Sequence, residues 1–371
     1  MELIQLAPLM EFSGLKALRL AGSRQLRMRA LALTAVLLLI GSISLAAWPL
    51  GSSVQAQTVA TLMSTKPLKT LGDKEVLIGA YIRNIQAINP ETNSFLADVY
   101  IWLRWNDRTI QPYKSMEFVN LFEAWQLMSW KIQEEPILQP DGSLYYLTHY
   151  QGAFNSILSL KNYPFGSQIL AIEIEDLQRE TSDLHFVVDP STLAISPSIS
   201  IPGYNFGSPT ISAKNYAYPT SFGMLNNTID DVYSKVTIAI PVVHPVLVNI
   251  FKYILPIVLV MIAAGLIFEI PPAEFSSRIS LSITALLTLV AMQWTSAEGL
   301  PTNSYLTMLD SLYLFSLIFI LASLVQGIKN SWVARDKGED LAIKLDERAL
   351  KIYWSAYAII FTVMIFGYIL T

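Results

Sequence analysis

The stretch SSRISLSITALLTLVAMQWTSAE, residues 276–298, is an apolar segment with an unusual number of hydroxyl side chains. From 279 to 297 it carries no charged residue, and a helix of about 20 such residues can cross the hydrocarbon core of a bilayer. Residues that step along it by three or four positions share one face of a helix. The members of that face are Ser277, Ser280, Thr284, Leu287, Ala291, Trp294 and Glu298.

The chemistry of this face changes along the helix. Its first half is hydroxylated, Leu287 and Ala291 are apolar, and its end is bulky at Trp294 and acidic at Glu298. Hydroxyl groups can replace part of an ion's hydration shell, and a ring of apolar side chains can close a pore by excluding water. Because one helix cannot surround a pore, this interpretation requires several identical subunits around an axis. Serine and threonine also join transmembrane helices to one another, so periodicity alone leaves a helix–helix interface open.

Three further apolar stretches, at 253–268, 311–328 and 352–371, lack charged residues and are long enough, or nearly so, to span a bilayer. Together the four stretches predict a transmembrane domain over residues 246–371. Its helices are expected at about 246–270, 276–297, 305–328 and 351–370, with a linker at 329–350.

Basic residues orient this domain, because lysine and arginine concentrate in cytoplasmic loops. The loop at 298–310 contains no lysine or arginine. The segment between the third and fourth helices contains Lys329, Arg335, Lys337, Lys344, Arg348 and Lys351. We therefore expect that segment to be cytoplasmic, and the part of the chain that precedes the first helix to lie outside.

Residues 57–245 have a β-like pattern, in which Thr, Val, Ile and Tyr alternate with polar residues between frequent turn signals such as Asn89-Pro90. The clearest runs are at 76–88, 95–105, 144–150, 168–175, 185–188 and 232–242. Many short strands at such spacing predict an all-β antiparallel sandwich of the immunoglobulin-like class.

The N-terminus has the pattern of an export signal. A basic region with Lys16 and four arginines precedes an apolar run at 30–40, and Val54-Gln55-Ala56 offers small residues at the cleavage spacing. We expect residues 1–56 to be a signal peptide cleaved after Ala56; an uncleaved membrane anchor is the alternative.

Composition excludes several classes of protein. A hydrophobic fraction of 53% with only 15% charged residues is typical of a membrane protein, and a net charge of −4 gives no electrostatic support for binding nucleic acid. The absence of cysteine excludes thiolate chemistry, and the three histidines are far apart, so we expect no metal site and no cofactor. No nucleophile, base and orienting group occur together, and no broken helices or inverted repeats suggest a transporter. We therefore expect neither an enzyme nor a transporter.

One segment resembles a family motif. The stretch SILSLKNYPFGSQIL, residues 156–170, is similar to the namesake loop of the Cys-loop receptor superfamily, with its aromatic-Pro-Phe-Asp-x-Gln centre. Ser156 and Leu170 stand where animal members place the two bridging cysteines, which bacterial members lack. Gly166 replaces the usual aspartate.

Other segments resemble the same family in the right order. Trp105 and Asp107 match its Trp-x-Asp strand, Asp141-Gly142-Ser143 fits the turn before its aromatic strand, and Pro256 matches the proline of the first transmembrane helix. Arg278 matches the basic residue at the cytoplasmic base of the pore helix, Leu287 the leucine of the hydrophobic gate, and Leu300-Pro301 the loop after the pore helix.

The resemblance, to the prokaryotic branch of these pentameric ligand-gated ion channels, implies an extracellular sandwich of about ten strands, four transmembrane helices and a homopentamer around a central pore. It also implies a multi-pass protein of the bacterial inner membrane with a periplasmic sandwich. Its partners would be membrane lipid, permeant inorganic ions and an agonist. A non-conducting membrane receptor is the alternative.

Ligands of this family bind between neighbouring sandwiches, often among aromatic rings that attract cations. On one side the candidates are Trp130, Tyr216, Tyr218 and Phe222; on the facing strand, Tyr100, Trp102 and Arg104 alternate to one side. The segment 175–183 is acidic and lacks an aromatic residue, so protons or divalent cations are agonists to consider beside small molecules.

Coupling and selectivity complete the expectations. The resemblance implies that Tyr163, Pro164 and Phe165 press on Leu300 and Pro301, and that His244, which stands in place of an arginine, could titrate near neutral pH.

Glu274 and Glu298 would form carboxylate rings that favour cations, although Ser276-Ser277 matches neither the cation-selective nor the anion-selective pattern. An anion-selective channel remains the alternative, in which Glu274 turns away and pairs with Arg278.

Overall fold

The computed structural model describes residues 71–189, 193–220, 231–298, 300–301 and 304–370. The predicted signal peptide and Phe222 lie outside these residues. The described chain divides into a β half followed by a helical half, as the composition predicted.

Twelve strands form the β half of the described chain. They are β1 Glu75–Asn89, β2 Ser94–Trp105, β3 Met116–Phe118, β4 Met128–Lys131, β5 Ile137–Leu138, β6 Leu144–Asn155, β7 Ser167–Asp176, β8 His185–Val188, β9 Ala194–Ile195, β10 Asn205–Phe206, β11 Thr210–Tyr218 and β12 Asp231–Val243. A helical turn at Pro112–Ser115 and a short 3-10 helix at Ala124–Gln126 lie between them.

The strands form two sheets packed face to face. In the first sheet the order is β4-β6-β2-β1-β8, with β5 beside β6 and β9 beside β1. In the second sheet it is β10-β12-β7-β3, with β11 beside β12. Most neighbours are antiparallel, but β8 and β9 run parallel to β1, because the chain reaches β8 by crossing over from β7 of the other sheet.

Alternation places one face of each sheet in a common core. Val99, Ile101 and Leu103 of β2 are buried, and Ile238 and Ile240 of β12 face them from the second sheet. The intervening residues point outward, so the chemically interesting side chains of both sheets lie on the two outer faces. This confirms the predicted sandwich.

Four long helices make up the helical half, and each is long and apolar enough to cross a membrane. They are α1 Val246–Phe268, α2 Phe275–Ala297, α3 Met308–Lys337 and α4 Glu339–Leu370. A π-helical turn, Ile250–Ile254, precedes Pro256 of α1, which has no N–H to donate. Thr307 and Asp310 form a capping box that starts α3.

The predicted linker at 329–350 is helical on both sides of Gly338, which has a φ of 97°. Glycine takes this left-handed backbone conformation without the steric cost of a Cβ atom, so α3 ends and α4 begins there without an extended connection. The four helices pack around Ile257, Leu289, Leu312, Tyr313 and Tyr357.

Candidate functional site

The two faces of α2 differ sharply in burial. All seven residues of the face predicted from the three- and four-residue spacing are exposed in the single chain, and Leu287 is 62% exposed. The opposite face is buried against the other helices through Arg278, Ser282, Ala285 and Leu289. A helix packed on one side thus presents a continuous stripe of hydroxyl, apolar, aromatic and acidic side chains on the other.

The base of α2 holds a buried ion pair. Arg278, only 1% exposed, forms a two-point ion pair with Asp346 of α4 and also donates to the carbonyls of Ile270 and Gly327. Asn330 donates to the same carboxylate at 2.6 Å. A buried guanidinium needs such partners, because removing an unpaired charge from water is costly.

This arrangement excludes the expected alternative in which Glu274 pairs with Arg278. Arg278 turns to the buried side of α2, where Asp346 lies, whereas Glu274 is exposed before the helix and accepts a hydrogen bond from Ser277 Oγ at 3.2 Å. Ser276 is exposed at the same end. The positive charge of Arg278 is therefore neutralised inside the bundle, and the carboxylate of Glu274 stays at the surface.

The loop at 156–166, between β6 and β7, is hydrogen-bonded to the helical half. The hydroxyl of Tyr163 donates to that of Tyr253 in α1 at 2.6 Å, and the side-chain amide of Asn249 donates to the carbonyl of Pro164. Phe165 packs against the helical core.

The same loop also meets the start of α3. The amides of Met308 and Leu309 donate to the carbonyls of Lys161 and Tyr163 at 2.9 and 3.2 Å, and the amide of Leu160 donates to the Tyr305 hydroxyl at 3.0 Å. Among the described residues, these bonds reach α1, Tyr305 and the start of α3 rather than Leu300 and Pro301, where the sequence placed the contact. Sequence reasoning missed Asn249, Tyr253 and Tyr305.

His244 lies directly before α1. Its ring packs against Tyr204 and lies edge-on to Tyr163, with its Nδ1 3.0 Å from the carbonyl oxygen of Gly203. Burial lowers the pKa of His244, and the hydrogen bond to Gly203 only partly opposes that effect. The imidazole is therefore neutral at pH 7.

The outer face of the first sheet carries a three-ring stack. The ring of His149 lies between Tyr100 and Trp130, with centroids 4.4 and 4.8 Å away. Its Nε2 bonds the carboxylate of Asp98, which Arg83 also approaches at 3.4 Å.

This stack corrects one prediction. Trp130 was assigned to the same side as Tyr216 and Tyr218, but it lies with Tyr100, because β4 and β2 both pair with β6 in the first sheet. The side chains of Trp102 and Arg104, which were predicted beside Tyr100, both have partners within the chain.

Trp102 donates from its indole to Asp189 at 2.8 Å, and Arg104 is buried with Asp141 at 3.4 Å.

The outer face of the second sheet carries a separate group, which we call the Lys235 cluster: Glu173 and Glu175 of β7, Lys235 of β12, and Tyr216 and Tyr218 of β11. The ammonium of Lys235 lies 3.1 Å from Glu175, 3.3 Å from Glu173 and 3.9 Å from the centroid of the Tyr216 ring. Tyr218 donates its hydroxyl to Glu175 at 2.9 Å. The predicted Tyr216 and Tyr218 thus come together, around a cation that sequence reasoning missed.

Comparisons with known proteins agree with this geometry. Residues 253–335 match the family model of the neurotransmitter-gated ion-channel transmembrane region. A proton-gated ion channel from Gloeobacter violaceus is 21% identical over 266 residues, which are 67% of this chain and 71% of that protein. This chain has the Cys-loop receptor fold.

Two eukaryotic relatives share the similarity over a smaller part of their length. A γ-aminobutyric acid receptor β subunit from Lymnaea stagnalis is 24% identical over 220 residues, covering 58% of this chain and 42% of that protein. The pH-sensitive chloride channel 2 of Drosophila melanogaster is 23% identical over 213 residues, covering 56% of this chain and 39% of that protein. The matched part of this chain therefore spans less than half the length of those two relatives.

The residues that match the family's Trp-x-Asp strand have structural contacts. Trp105, matched to the family's Trp-x-Asp strand, is buried, and Asp107 accepts two hydrogen bonds from Thr109. Within the described residues, no group of three or more His, Asp or Glu side chains is placed to hold a metal ion.

Proposed function

We propose that this chain is a subunit of a ligand-gated ion channel, in which identical copies form a homopentamer and α2 lines a central pore. The observation that carries the proposal is the exposed stripe of α2 opposite a buried face. In a bilayer, hydroxyl and carboxyl groups are costly to expose to lipid, so the stripe needs water or a partner. Cyclic assembly of copies turns the stripe into the wall of a wet axis.

The stripe also supplies a gate. Leu287 and Ala291 lie between the hydroxyl groups on one side and Trp294 and Glu298 on the other. Repeated around an axis, the apolar level excludes water when it is narrow and admits ions when the helices move apart.

We propose cation selectivity. The charge of Arg278 is paired with Asp346 inside each subunit, so it contributes little field at the axis, whereas Glu274 and Glu298 are exposed at the two ends of α2. Repetition around the axis makes each glutamate a carboxylate ring, which raises the local concentration of cations. One relative is a pH-sensitive chloride channel, so the reversal potential must distinguish cation from anion selectivity.

The orientation and the route of activation follow the same scheme. The basic residues at the end of α3 and the start of α4 favour a cytoplasmic position for that end of the bundle, with residues 57–245 in the periplasm of a bacterium and residues 246–371 in its inner membrane. An agonist, whether a small molecule, a proton or a divalent cation, would act between adjacent sandwiches. The hydrogen bonds that join Tyr163 and Pro164 to α1, and Lys161 to α3, would carry the movement to the pore.

The test is a recording from the full-length protein in oocytes or liposomes. Agonist steps should include pH, a small-amine panel and calcium, with reversal potentials measured in sodium and chloride gradients. We expect a reversal potential that follows sodium.

Leu287→Ser should shift activation toward lower stimulus or hold the pore open, because a hydroxyl at the apolar level keeps it wet. Ile359→Ser is the matched control, since Ile359 is 63% exposed and lies on α4, whose main packing partner is α3. A channel whose gating ignores Leu287→Ser, or responds equally to Ile359→Ser, contradicts the proposal.

A further inference from the structure

The ammonium of Lys235 is enclosed by side chains from two neighbouring strands. Glu173 and Glu175 approach it from β7, and the ring faces of Tyr216 and Tyr218 lie 3.9 and 5.9 Å away on β11. The Lys235 side chain is only 15% exposed, although it lies on an outer face. The cluster therefore solvates a cation with carboxylates and aromatic rings in place of water.

These are the groups that recognise a small organic ammonium. Carboxylates neutralise its charge, and the negative faces of aromatic rings attract it within about 6 Å. In this chain the position is taken by the protein's own side chain. An external amine would have to displace a cation that is covalently tethered and therefore present at an effective concentration on the order of millimolar or above.

The protonation states keep this arrangement charged. Burial by itself would lower the pKa of Lys235, but the hydrogen bond and charge of Glu175, together with Glu173, outweigh it and raise the pKa. Burial and the hydrogen bond to Glu175 raise the pKa of Tyr218, so its hydroxyl remains a donor. The amine of Lys235 and the phenol of Tyr218 therefore both keep their protons at neutral pH.

We propose that Lys235 is a built-in ligand of the Lys235 cluster: it fills an ammonium site in the wild-type chain and closes that site to amines, and the site accepts a primary alkylammonium once the lysine is removed. The closure of this site to amine agonists rests on the proposed channel function, but the binding of an alkylammonium does not.

The main experiment is chemical rescue of Lys235→Ala. Truncation at Cβ removes Cγ, Cδ, Cε and Nζ, which together equal n-propylammonium. Thermal unfolding of the purified full-length protein is followed with increasing n-propylammonium, and with 1-propanol as the uncharged probe of the same length. We expect Lys235→Ala to have a lower thermal unfolding midpoint than wild type and propylammonium to raise that midpoint. 1-Propanol should not raise the midpoint of Lys235→Ala, and propylammonium should not raise that of wild type or Lys235→Met. Lys235→Met retains a chain that fills the space.

Lys214→Ala is the matched control, because exposed Lys214 lies directly opposite Lys235 on β11. Propylammonium should not change its unfolding midpoint. Equal stabilisation of wild type, or of Lys214→Ala, would overturn the proposal, as would a Lys235→Ala protein that propylammonium leaves unchanged.

A second measurement on the wild-type protein covers the case in which Lys235→Ala does not fold. Acylation of lysines by a water-soluble ester is followed by peptide mass spectrometry at pH 8. The Lys235 side chain is only 15% exposed and its pKa is raised, so both access and the fraction of reactive free amine are reduced. We expect Lys235 to react severalfold more slowly than the exposed Lys214. Equal rates would overturn the proposal.

The two proposals fail separately. Rescue by propylammonium without any ionic current would sink the channel function and leave the lysine site standing. A conducting channel whose Lys235→Ala variant ignores propylammonium would sink the lysine site alone.

Discussion

Replacing Asp346 by asparagine should destabilise the protein by about 3–5 kcal/mol, the usual cost of leaving one member of a buried ion pair without its partner. Asp346 is 3% exposed and Arg278 is 1% exposed, so water cannot take over the lost interaction. Asparagine can still accept one hydrogen bond, but its amide group would face the guanidinium with like polarity. The buried charge of Arg278 then has only neutral acceptors, the asparagine oxygen and the carbonyls of Ile270 and Gly327, in place of a counter-ion.

The assay measures unfolding of the purified protein in one detergent, as an equilibrium free energy where unfolding is reversible and as an unfolding rate where it is not. A double-mutant cycle then compares Arg278→Met, Asp346→Leu and their combination with wild type. The double replacement should lie much closer to wild type than either single change, because it removes both charges together. Asp336→Asn is the matched control: its pair with Arg335 is exposed and should contribute less than about 1 kcal/mol. A loss below about 1 kcal/mol for Asp346→Asn, or additive single changes, would refute the reasoning.

Two further predictions concern the β half and its junction. The pKa of His244 is lowered in the folded state, so between that lowered value and about 6.5 the unfolded chain binds more protons than the folded chain. The free energy of unfolding should therefore rise with pH through this window and fall on acidification. His244→Gln should flatten that part of a plot of unfolding midpoint against pH. An unchanged slope would contradict this. Gly79→Ala should lower the free energy of unfolding, measured by chemical denaturation, by about 1–3 kcal/mol, because the new methyl carbon would lie 2.2 Å from the ring of Trp102. Combining Gly79→Ala with Trp102→Leu should recover part of that loss. Full tolerance of the single change would contradict this prediction, because it would mean that the ring moves freely.

The parts of the fold that depend on local pattern could be predicted from the sequence. The helical spacing from Ser277 to Glu298 identified a stripe that is exposed throughout, and the alternation in β2 and β12 identified buried and outward residues. Such periodicities are set by backbone geometry within a few residues, so no knowledge of distant partners is needed.

Pairing over long distances could not be predicted. Arg278 and Asp346 are 68 positions apart, and Lys235 and Glu173 are 62 apart, so nothing local marks either pair. Trp130 was placed on the wrong side because its position depends on the pairing of β4 with β6. A strand of four residues carries no local pattern that predicts such an edge pairing. The alternation of β12 could have indicated that Lys235 lies on the same face as Tyr216. It could not have indicated that the ammonium lies between two carboxylates.

The junction between the halves shows an intermediate case. The motif around Tyr163 and Pro164 was recognised, and its position against the helices follows from the family resemblance. Its bonding partners, Asn249, Tyr253 and Tyr305, come from two other segments whose approach is fixed by packing of the bundle. A motif thus located the loop, while its contacts required the structure.

The most direct test of the central claim is substituted-cysteine accessibility along α2, which the chain suits because it contains no native cysteine. Single cysteines at Ser280, Thr284, Leu287 and Ala291 are compared with cysteines at the buried Ser282, Ala285 and Leu289, using a charged thiol reagent applied from outside to the activated channel. A pore lined by α2 predicts rapid, irreversible change of current at the first group and none at the second. Equal reactivity of both groups, or modification without any change of current, would contradict a water-filled axis along this face of α2.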